Sequence, residues 1–495
     1  MLSSVHFSRL RVGNPYLVTR QLATAVASHG PKKEGDISSV FPSLSGQAEP
    51  LPARIADLKT QLISRNPTII TSWYRLLSHL RAEVEKISST RAAIIPAIDF
   101  SDLHNQSKIQ PFATALKERG VAVIRNVVPE QLALQWKEEI KSYIAVNPST
   151  KGFPQDKPAV YELYWSPGQV KARAHPNMLE AQRFIMSFWH SKNPGALVST
   201  EQPVSYADRL RICQPSESGF ALGPHIDGGS VERWEPQGYG LGGVYDKIWE
   251  GKWEEYDPWE SSSRLDVVSD LYNGAGACSM FRMFQGWLSM SVTAPGEKSL
   301  MVNPMLRAAT AYILLRPFFS PKSTDTTSPD YLDEENWIVA PQQDTVLQGA
   351  TLGCTQELST ALHPHLNLDK TMVHVPKVRP GDYVLWHCDT IHAVDKDHKG
   401  KGDSSVMYIP ACPLTEGNAR YLVRQREAFL RGAPGPDFPG GIGEGGHIIR
   451  PGVREVDIAG GIEGMRAMGL ESWDIECESM KGRRELLNKV NEIIS

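Results

Sequence analysis

Beyond residue 200 the chain consists of short β-rich runs that are separated by glycine, proline and aspartate. The runs are rich in apolar, β-branched or aromatic side chains and span residues 209–213, 281–292, 299–302, 310–315, 371–375, 382–386 and 404–409. Many short strands divided by turn residues are typical of an antiparallel sandwich or barrel. We therefore predict a mainly β fold with flanking α-helices.

Two long interruptions break this series of strands, at about residues 230–275 and 320–368. Loops of such length inside a compact domain are usually functional lids or disordered segments. The first insertion contains Trp234, Trp249 and Trp253 among acidic residues and glycines, and this aromatic content favours an ordered structure. We predict that it closes over a binding site as a lid.

Helices are predicted before the β-rich part of the chain. Apolar residues recur at helical spacing between residues 53 and 89, and a break at Asn66-Pro67 predicts two amphipathic helices. A helix, a strand and a second helix follow at residues 112–119, 121–125 and 129–145. The predicted organisation is a basic segment with a linker at 1–50, a helical extension at 51–93, a β domain with both insertions at 94–440, and a C-terminal extension at 441–495.

Composition restricts the classes of partner. The 52 lysines and arginines against 56 aspartates and glutamates give a formal net charge of -4, so the chain lacks the basic field that binds nucleic acid or anionic lipid. No apolar stretch approaches the roughly 20 residues that a membrane span needs. The six cysteines show neither CxxC spacing nor the density of a disulfide scaffold. We expect no nucleic acid and no membrane as partners, while the oligomeric state stays open.

The N-terminus is basic and contains no acidic residue before Glu34. A segment that is rich in arginine and serine and poor in acids is typical of an organellar transit peptide. A merely basic and disordered N-terminus accounts for the same composition equally well. The sequence therefore leaves a mitochondrial and a cytoplasmic location undecided.

A His-x-Asp pair is the strongest local signal for chemistry. It lies in the segment GPHIDGG, residues 223–229, where His225 and Asp227 end a predicted strand. Alternate residues of a strand point to the same face, so these two side chains can converge on one ion. Downstream, a Pro-Gly-Asp turn starts another predicted strand that ends near His392. Two histidines and one carboxylate are the ligand set of non-haem Fe(II) oxygenases, because three positions on the metal stay open.

A second His-x-Asp pair, His387 and Asp389, lies close to His392 in the sequence. We prefer the pair at residues 225 and 227, because a jelly roll supplies the pair and the lone histidine from different strands. One strand end, with side chains that alternate in direction, is a poor source of all three ligands. We therefore expect His387 to be a core residue or a neighbour of the site.

The sequence at these positions resembles a known family. Its motifs are GPHIDGGSVERW at 223–234, FQGWLS at 284–289, NPML at 303–306, LRPFF at 315–319 and VMYIP at 406–410. They are similar to those of the DUF1479 family, which itself is similar to the Fe(II)/2-oxoglutarate-dependent dioxygenases. The resemblance covers about residues 95–440. It implies a double-stranded β-helix of the jelly-roll or cupin-like type, with iron held by His225, Asp227 and His392.

One departure concerns the co-substrate. Many 2-oxoglutarate oxygenases hold the distal carboxylate with an arginine on the strand that follows the second histidine. Here that strand is SSVMYIP, residues 404–410, where Ser405 and Tyr408 offer only hydroxyl groups. A guanidinium is the better partner for a half-buried carboxylate. Arg316, between an apolar run and a proline, is the first candidate. The other candidates are Arg211 and Arg420, and for each of the three an internal salt bridge is at least as good an explanation.

Three other features have simple structural explanations. Trp287 lies on a strand that should line the barrel and could form a wall of the co-substrate pocket, although most such tryptophans are core residues. The segment GIGEGG at residues 441–446 matches a dinucleotide fingerprint, but no predicted strand precedes it, so we expect a loop. His363 and His365 have no carboxylate or cysteine at a ligand spacing, and we expect a loop or cap there.

These residues together predict a non-haem Fe(II)/2-oxoglutarate-dependent dioxygenase. It would oxidise, and most simply hydroxylate, a small organic molecule with O2, while 2-oxoglutarate is converted to succinate and CO2. In this hypothesis the catalytic centre consists of His225, Asp227 and His392. The alternative is a jelly-roll protein that binds or senses a metal or an organic acid without turnover, and the absence of an arginine on the last strand favours it. The sequence does not identify the substrate.

Overall fold

Strands and helices both build the protein, and the helices contain more residues than the strands. The computed structural model describes residues 37–46, 50–215, 221–274, 277–438, 441–476 and 481–495. The basic segment before Glu34, for which the sequence leaves a transit peptide and a disordered N-terminus open, lies outside these ranges. The fold is mixed α/β, so the mainly β expectation holds only in part. The difference arises mostly at the C-terminal end, which is helical, and in one apolar run, residues 310–315, that is helical where a strand is predicted.

The elements of the described ranges are labelled in chain order. The strands are β1 Ala97–Asp99, β2 Val121–Arg125, β3 Gly152–Phe153, β4 Val160–Tyr161, β5 Val198–Val204, β6 Leu210–Cys213, β7 His225–Ile226, β8 Phe284–Ser289, β9 Leu300–Val302, β10 Phe319–Pro321, β11 Trp337–Val339, β12 Gln356–Glu357, β13 Val373–His374, β14 Tyr383–His387, β15 His392–Val394, β16 Ser404–Tyr408 and β17 Cys412–Thr415. The α-helices are α1 Pro42–Ser45, α2 Arg54–Arg65, α3 Thr68–Thr90, α4 Gln106–Arg119, α5 Glu130–Val146, α6 Pro167–Ala174, α7 Pro176–Met186, α8 Asp246–Trp249, α9 Leu306–Leu315, α10 Leu368–Thr371, α11 Glu416–Arg431, α12 Val453–Ala467 and α13 Lys481–Ile494.

Two sheets form the centre of the molecule. The larger has the order β1-β2-β14-β8-β16-β6-β4-β3, and the smaller has the order β12-β7-β15-β9-β13. Strands β6, β8, β14 and β16 belong to the larger sheet, while β7, β9, β13 and β15 belong to the smaller one. Their pairings within each sheet are antiparallel. The chain therefore passes repeatedly between the sheets, which brings residues far apart in sequence onto neighbouring strands.

The larger sheet is buried on both faces. Trp287 and Val406 share one hydrophobic cluster with residues of the smaller sheet such as Val302. Their chain neighbours Leu288 and Met407 belong to a second cluster, which includes residues of α4, α5 and α7. Successive side chains of a strand point to opposite faces, so each central strand contributes to both clusters. This explains why these strands are almost continuously apolar in sequence.

The apolar run at residues 310–315 is helical and not a strand, because it lies within α9. An uninterrupted apolar run is compatible with either a buried strand or a buried helix, and periodicity cannot separate them. Helix α9 packs on α3, where the rings of Trp73 and Tyr312 stack at 5.4 Å. The two predicted N-terminal helices are confirmed as α2 and α3, with the break at Asn66-Pro67.

The Trp-rich insertion is ordered, as expected, but it packs into the body of the protein. Trp234 Nε1 donates a hydrogen bond to the carbonyl oxygen of Leu314 in α9 at 3.0 Å, and Trp259 Nε1 donates to that of Lys117 in α4 at 3.1 Å. The second insertion contributes the β10–β11 pair and strand β12, which extends the smaller sheet next to β7. None of the described helices is both long enough and apolar enough to cross a membrane.

Candidate metal centre

His225, Asp227 and His392 converge at the middle of the smaller sheet. His225 on β7 lies directly opposite His392 on β15, and Asp227 follows β7. Nε2 of His225 is 3.6 Å from one carboxylate oxygen of Asp227, and Nε2 of His392 is 3.6 Å from the other. The ligand atoms of the three residues all lie within 4.8 Å of one another. This arrangement can hold one metal ion.

The outer nitrogens of both imidazoles are fixed by the backbone. Nδ1 of His225 lies 2.6 Å from the carbonyl oxygen of Gly223, and Nδ1 of His392 lies 3.1 Å from that of Thr390. A carbonyl oxygen only accepts hydrogen bonds, so each neutral ring carries its proton on Nδ1 and its lone pair on Nε2. Burial lowers the pKa of His225 to about 4. Two nitrogen lone pairs therefore face one carboxylate. These three groups form a donor set that can bind a cation.

The turn after Asp227 is held by a buried arginine. The positive charge of the nearby Arg282 favours the ionised form of the Asp227 carboxyl. Gly228 and Gly229 follow with φ angles of 84° and 82°, which glycine adopts without strain. Arg233 donates to the carbonyl oxygens of Asp227 at 3.2 Å and Gly229 at 2.6 Å. The position of the carboxylate thus depends on Arg233.

The three side chains open into a cavity of about 940 Å³, a volume that includes its solvent-open part. The His225 and His392 side chains are 3% and 6% exposed, whereas that of Asp227 is 30% exposed. The walls are aromatic and cationic. They include Phe41, Tyr206, Trp287, Trp386, Tyr408, Phe438, Arg209, Arg211 and Arg282.

Arg211 is the most deeply buried of the three cavity arginines. It lies on β6 opposite Val406 of β16 and is 4% exposed. Its Nη2 donates to the carbonyl oxygen of Lys298 at 2.9 Å, while its Nε has no hydrogen-bond partner in the described part of the chain. No described carboxylate forms an ion pair with it. A buried guanidinium without an ion-pair partner among the described residues can bind an anion in the cavity.

Two of the predicted co-substrate residues, Trp287 and Tyr408, line the cavity and lie opposite each other on β8 and β16. Ser405 does not, because it points to the other face of β16, where its hydroxyl donates to Asp403 at 2.9 Å. Successive side chains of a strand point to opposite faces, so Ser405 faces away from the cavity. The expectation that it contacts a co-substrate is therefore corrected.

Arg316 is also absent from the cavity wall. It lies just after α9, where its guanidinium stacks over the Trp337 ring at 4.6 Å and Nη1 donates to the carbonyl oxygen of Phe319 at 2.8 Å. Arg420 is exposed on α11, with Glu416 at 3.9 Å. Arg211, named second in the sequence analysis, replaces Arg316 as the candidate anchor.

The lid prediction is corrected as well, since none of the described residues 230–274 lines the cavity. Phe41 contributes instead, with its ring edge-on to His225 at 5.0 Å. Phe41 lies in a segment that was predicted to be a linker. Arg209 and Arg282 were not predicted as cavity residues, although the Arg-Leu-Arg spacing of residues 209–211 on a predicted strand is a signal that could have placed two cations on one face.

The second His-x-Asp pair belongs to a hydrogen-bonded network in the core. Asp389 accepts hydrogen bonds from Arg264 Nη2 at 2.5 Å and from the hydroxyl of Tyr256 at 3.3 Å. The His387 ring stacks on Trp189 at 4.8 Å, and both of its nitrogens have backbone partners. The ligand atoms at residues 387–389 are close enough together for a metal, but their partners are already supplied. The expectation of a structural role for His387 agrees with this geometry.

The remaining motifs are structural too. Residues 441–446 form turns rather than a nucleotide-binding loop, and the buried Glu444 accepts hydrogen bonds from the backbone N–H of Trp165 at 2.9 Å. His365 is buried with its Nδ1 3.1 Å from the hydroxyl of Tyr312. Both features belong to the packing of loops against the core.

The chain matches one family model and is similar to several known proteins. A family model described as Gig2-like matches residues 49–470. The chain is 31% identical over 370 residues to the uncharacterized protein YbiU of Escherichia coli (strain K12), covering 72% of this chain and 82% of YbiU. It is similar to the structure of GlcNAc Inducible Gene 2, GIG2 (DUF1479), from Candida albicans, with 29% identity, a TM-score of 0.78 and coverage of 90% of this chain and 96% of that chain. A protein of Salmonella typhimurium LT2 described as a candidate oxidoreductase is 30% identical, with a TM-score of 0.71 and coverage of 85% and 99%.

Proposed function

Because the chain belongs to the Gig2-like family, DUF1479, we propose that it is a non-haem Fe(II)/2-oxoglutarate-dependent dioxygenase. Its substrate in this proposal is a small organic molecule, which it oxidises and most simply hydroxylates. The family membership that the sequence motifs indicated is confirmed. The description of one structural relative as a candidate oxidoreductase agrees with an enzymatic role.

The observation that carries the proposal is the donor set of His225, Asp227 and His392. Two Nε2 lone pairs and a carboxylate point at one another, and each imidazole is oriented from behind by a backbone carbonyl. Two histidines and one carboxylate favour ferrous iron with open coordination positions. The open cavity on the Asp227 side leaves room for a co-substrate and oxygen at those positions.

The order of the strands supports a double-stranded β-helix as the core. Strands β6 to β9 and β13 to β16 pass between the larger and the smaller sheet, and β9 and β13 lie side by side in the smaller one. In such a jelly roll, histidines from different strands meet at one position. The register of His225 with His392 agrees with this arrangement.

Arg211 is the proposed partner of the distal carboxylate of 2-oxoglutarate. The strand after His392 is β16, which carries no cation, but Arg211 lies opposite Val406 on the neighbouring strand. A side chain in this position reaches the same face of the sheet as Tyr408. In many 2-oxoglutarate oxygenases this cation lies on the strand that corresponds to β16. Here the adjacent strand β6 supplies it.

Iron held by these residues would, together with bound 2-oxoglutarate, supply the activation of O2, and 2-oxoglutarate would be converted to succinate and CO2. The protein's own contribution is positioning and exclusion of water. The backbone carbonyls hold both imidazoles in the ligand tautomer, and Arg211 fixes the co-substrate at its far end. Phe41 and Trp386, each with its ring 5.0 Å from a histidine ring, keep bulk water from the reacting centre.

The alternative, a jelly-roll protein that binds or senses a metal or organic acid without turnover, was favoured by the absence of an arginine on the last strand. Arg211 removes that argument, because a buried guanidinium faces the cavity from the next strand. No other described feature favours the alternative, so oxygenase activity is the function proposed.

The test is succinate formation from 2-oxoglutarate by the iron-loaded protein. His225→Ala and His392→Ala should abolish it, because each removes one of three ligands. His374→Ala is the matched control, since His374 belongs to the same sheet but pairs with Asp395 at 2.9 Å outside the cavity. Succinate formation that survives both ligand substitutions would refute the assignment.

A further inference from the structure

Arg282 is a cationic residue of the cavity wall. It stands just before β8, is half-buried and lines the same cavity as the proposed metal ligands. Its guanidinium lies over the ring of Tyr206 at 5.4 Å. Among the described residues no carboxylate forms an ion pair with it, although Asp227 and Asp208 interact with its charge from a greater distance. Its charge is therefore open to a ligand.

Arg209 forms a similar arrangement next to it. Its guanidinium lies over the Phe438 ring at 4.9 Å, and the rings of Phe438 and Tyr206 are 5.9 Å apart. Arg209 has one carboxylate contact, from Nε to Asp208 at 3.4 Å. Two guanidiniums thus rest on adjacent aromatic rings. Stacking on a ring fixes the plane of a guanidinium and leaves its in-plane N–H groups free to bind an oxyanion.

The charges of the cavity leave one cation unbalanced. In the proposed holoenzyme, ferrous iron and Arg211 are neutralised by Asp227 and the two carboxylates of 2-oxoglutarate. Arg209 is neutralised by Asp208. Arg282 is then the remaining charge among the described lining residues, in a partly desolvated site where an unpaired cation is unfavourable. A ligand with one negative charge restores the balance.

We infer that the substrate is an acid, with a carboxylate or phosphate group that binds Arg282 and an apolar body that extends toward the metal centre. Arg211 is buried and serves the co-substrate, whereas Arg282 is half-buried and lies nearer the solvent. The apolar body would contact Phe41 and Trp386, whose rings pack on the two histidines. This inference rests on the proposed function for its assignment of Arg211 and the metal, and it names the substrate class for that site.

The test uses matched aromatic fragments and the protein loaded with Fe(II) and 2-oxoglutarate under argon. Phenylacetate is compared with phenylacetamide, and phenyl phosphate with phenol, by ligand-observed NMR at millimolar concentration. We expect the acids to bind and their neutral partners not to bind, and the two pairs separate a carboxylate from a phosphate preference. Arg282→Gln should weaken acid binding by about 10- to 100-fold, since a charge-assisted contact is lost.

Arg424→Gln is the matched control, because Arg424 also stacks on a tyrosine ring, that of Tyr421 at 5.3 Å, but lies outside the cavity. It should bind the acids as the unmodified protein does.

Equal binding of acids and neutral partners, binding that Arg282→Gln leaves unchanged, or no binding of any acid would each overturn the inference. Affinity for 2-oxoglutarate, measured separately by calorimetry, should stay unchanged in Arg282→Gln. If the unmodified protein binds 2-oxoglutarate but none of the acids, only this inference is refuted, whereas Arg282-dependent acid binding without 2-oxoglutarate binding refutes only the proposed function.

Discussion

Replacement of Arg211 should weaken co-substrate binding and leave the stability of the fold nearly unchanged. The Arg211 side chain is 4% exposed, and its Nε has no partner among the described residues. In the account given above, that N–H and its neighbours bind the distal carboxylate of 2-oxoglutarate. A hydrogen bond between charged groups contributes about 1.5–3 kcal/mol. Arg211→Gln should therefore weaken 2-oxoglutarate binding by about 10- to 100-fold.

The same substitution should have little effect on stability. Arg211 makes one resolved hydrogen bond, from Nη2 to the carbonyl oxygen of Lys298, and that carbonyl also lies 3.5 Å from the Ser404 hydroxyl. A buried cation without a carboxylate is unfavourable, and its removal offsets the lost bond. The free energy of unfolding of Arg211→Gln should stay within about 1 kcal/mol of the unmodified value, as measured by denaturant unfolding.

Calorimetry of 2-oxoglutarate binding to the iron-loaded protein under argon measures the predicted loss. Arg316→Gln is the control, because Arg316 was the first candidate in the sequence and stacks on Trp337 outside the cavity. It should bind 2-oxoglutarate with unchanged affinity. Unchanged affinity in Arg211→Gln, or a loss confined to Arg316→Gln, would refute the reasoning.

Three further predictions concern the buried charged residues Asp389, Arg233 and Glu444. Asp389→Asn should lower the free energy of unfolding by about 3–5 kcal/mol, because it breaks a buried ion pair with Arg264; a smaller loss in denaturant unfolding would contradict this. Arg233→Ala should weaken iron binding by about 10- to 100-fold, since the Asp227 turn loses its support; equal affinity in an anaerobic titration would argue against that role. Burial raises the pKa of Glu444 to about 7 from a usual value of 4.5, so the folded protein holds this proton more tightly. Stability should therefore fall by roughly 3 kcal/mol as pH rises from about 4.5 to 7, and Glu444→Gln should remove that slope from unfolding curves measured across this range.

Several elements could be predicted because their signals are local. Strand β2 begins and ends at the predicted residues, 121 and 125, because Gly120 ends the preceding helix and a polar turn follows. The break between α2 and α3 follows from Asn66-Pro67. The convergence of His225 with His392 was also predicted, since their strands were expected to meet in a jelly roll.

Other features depend on contacts that no local pattern contains. The apolar run in α9 gives no periodicity by which a buried helix differs from a buried strand. Phe41 reaches His225 only through the long-range packing of the N-terminal segment, where the Val40 carbonyl accepts a hydrogen bond from the backbone N–H of Thr355. The choice among Arg211, Arg316 and Arg420 required the cavity itself, because the three share the same residue type and only their positions differ.

The central claim is that His225, Asp227 and His392 form a ferrous iron site that 2-oxoglutarate completes. The most direct measurement is an anaerobic calorimetric titration of Fe(II) into the unmodified protein and into Asp227→Ala, followed by 2-oxoglutarate. The account predicts a single iron site per chain in the unmodified protein, no such site in Asp227→Ala, and 2-oxoglutarate binding only after iron has bound. Iron binding of equal stoichiometry and affinity in Asp227→Ala would contradict it.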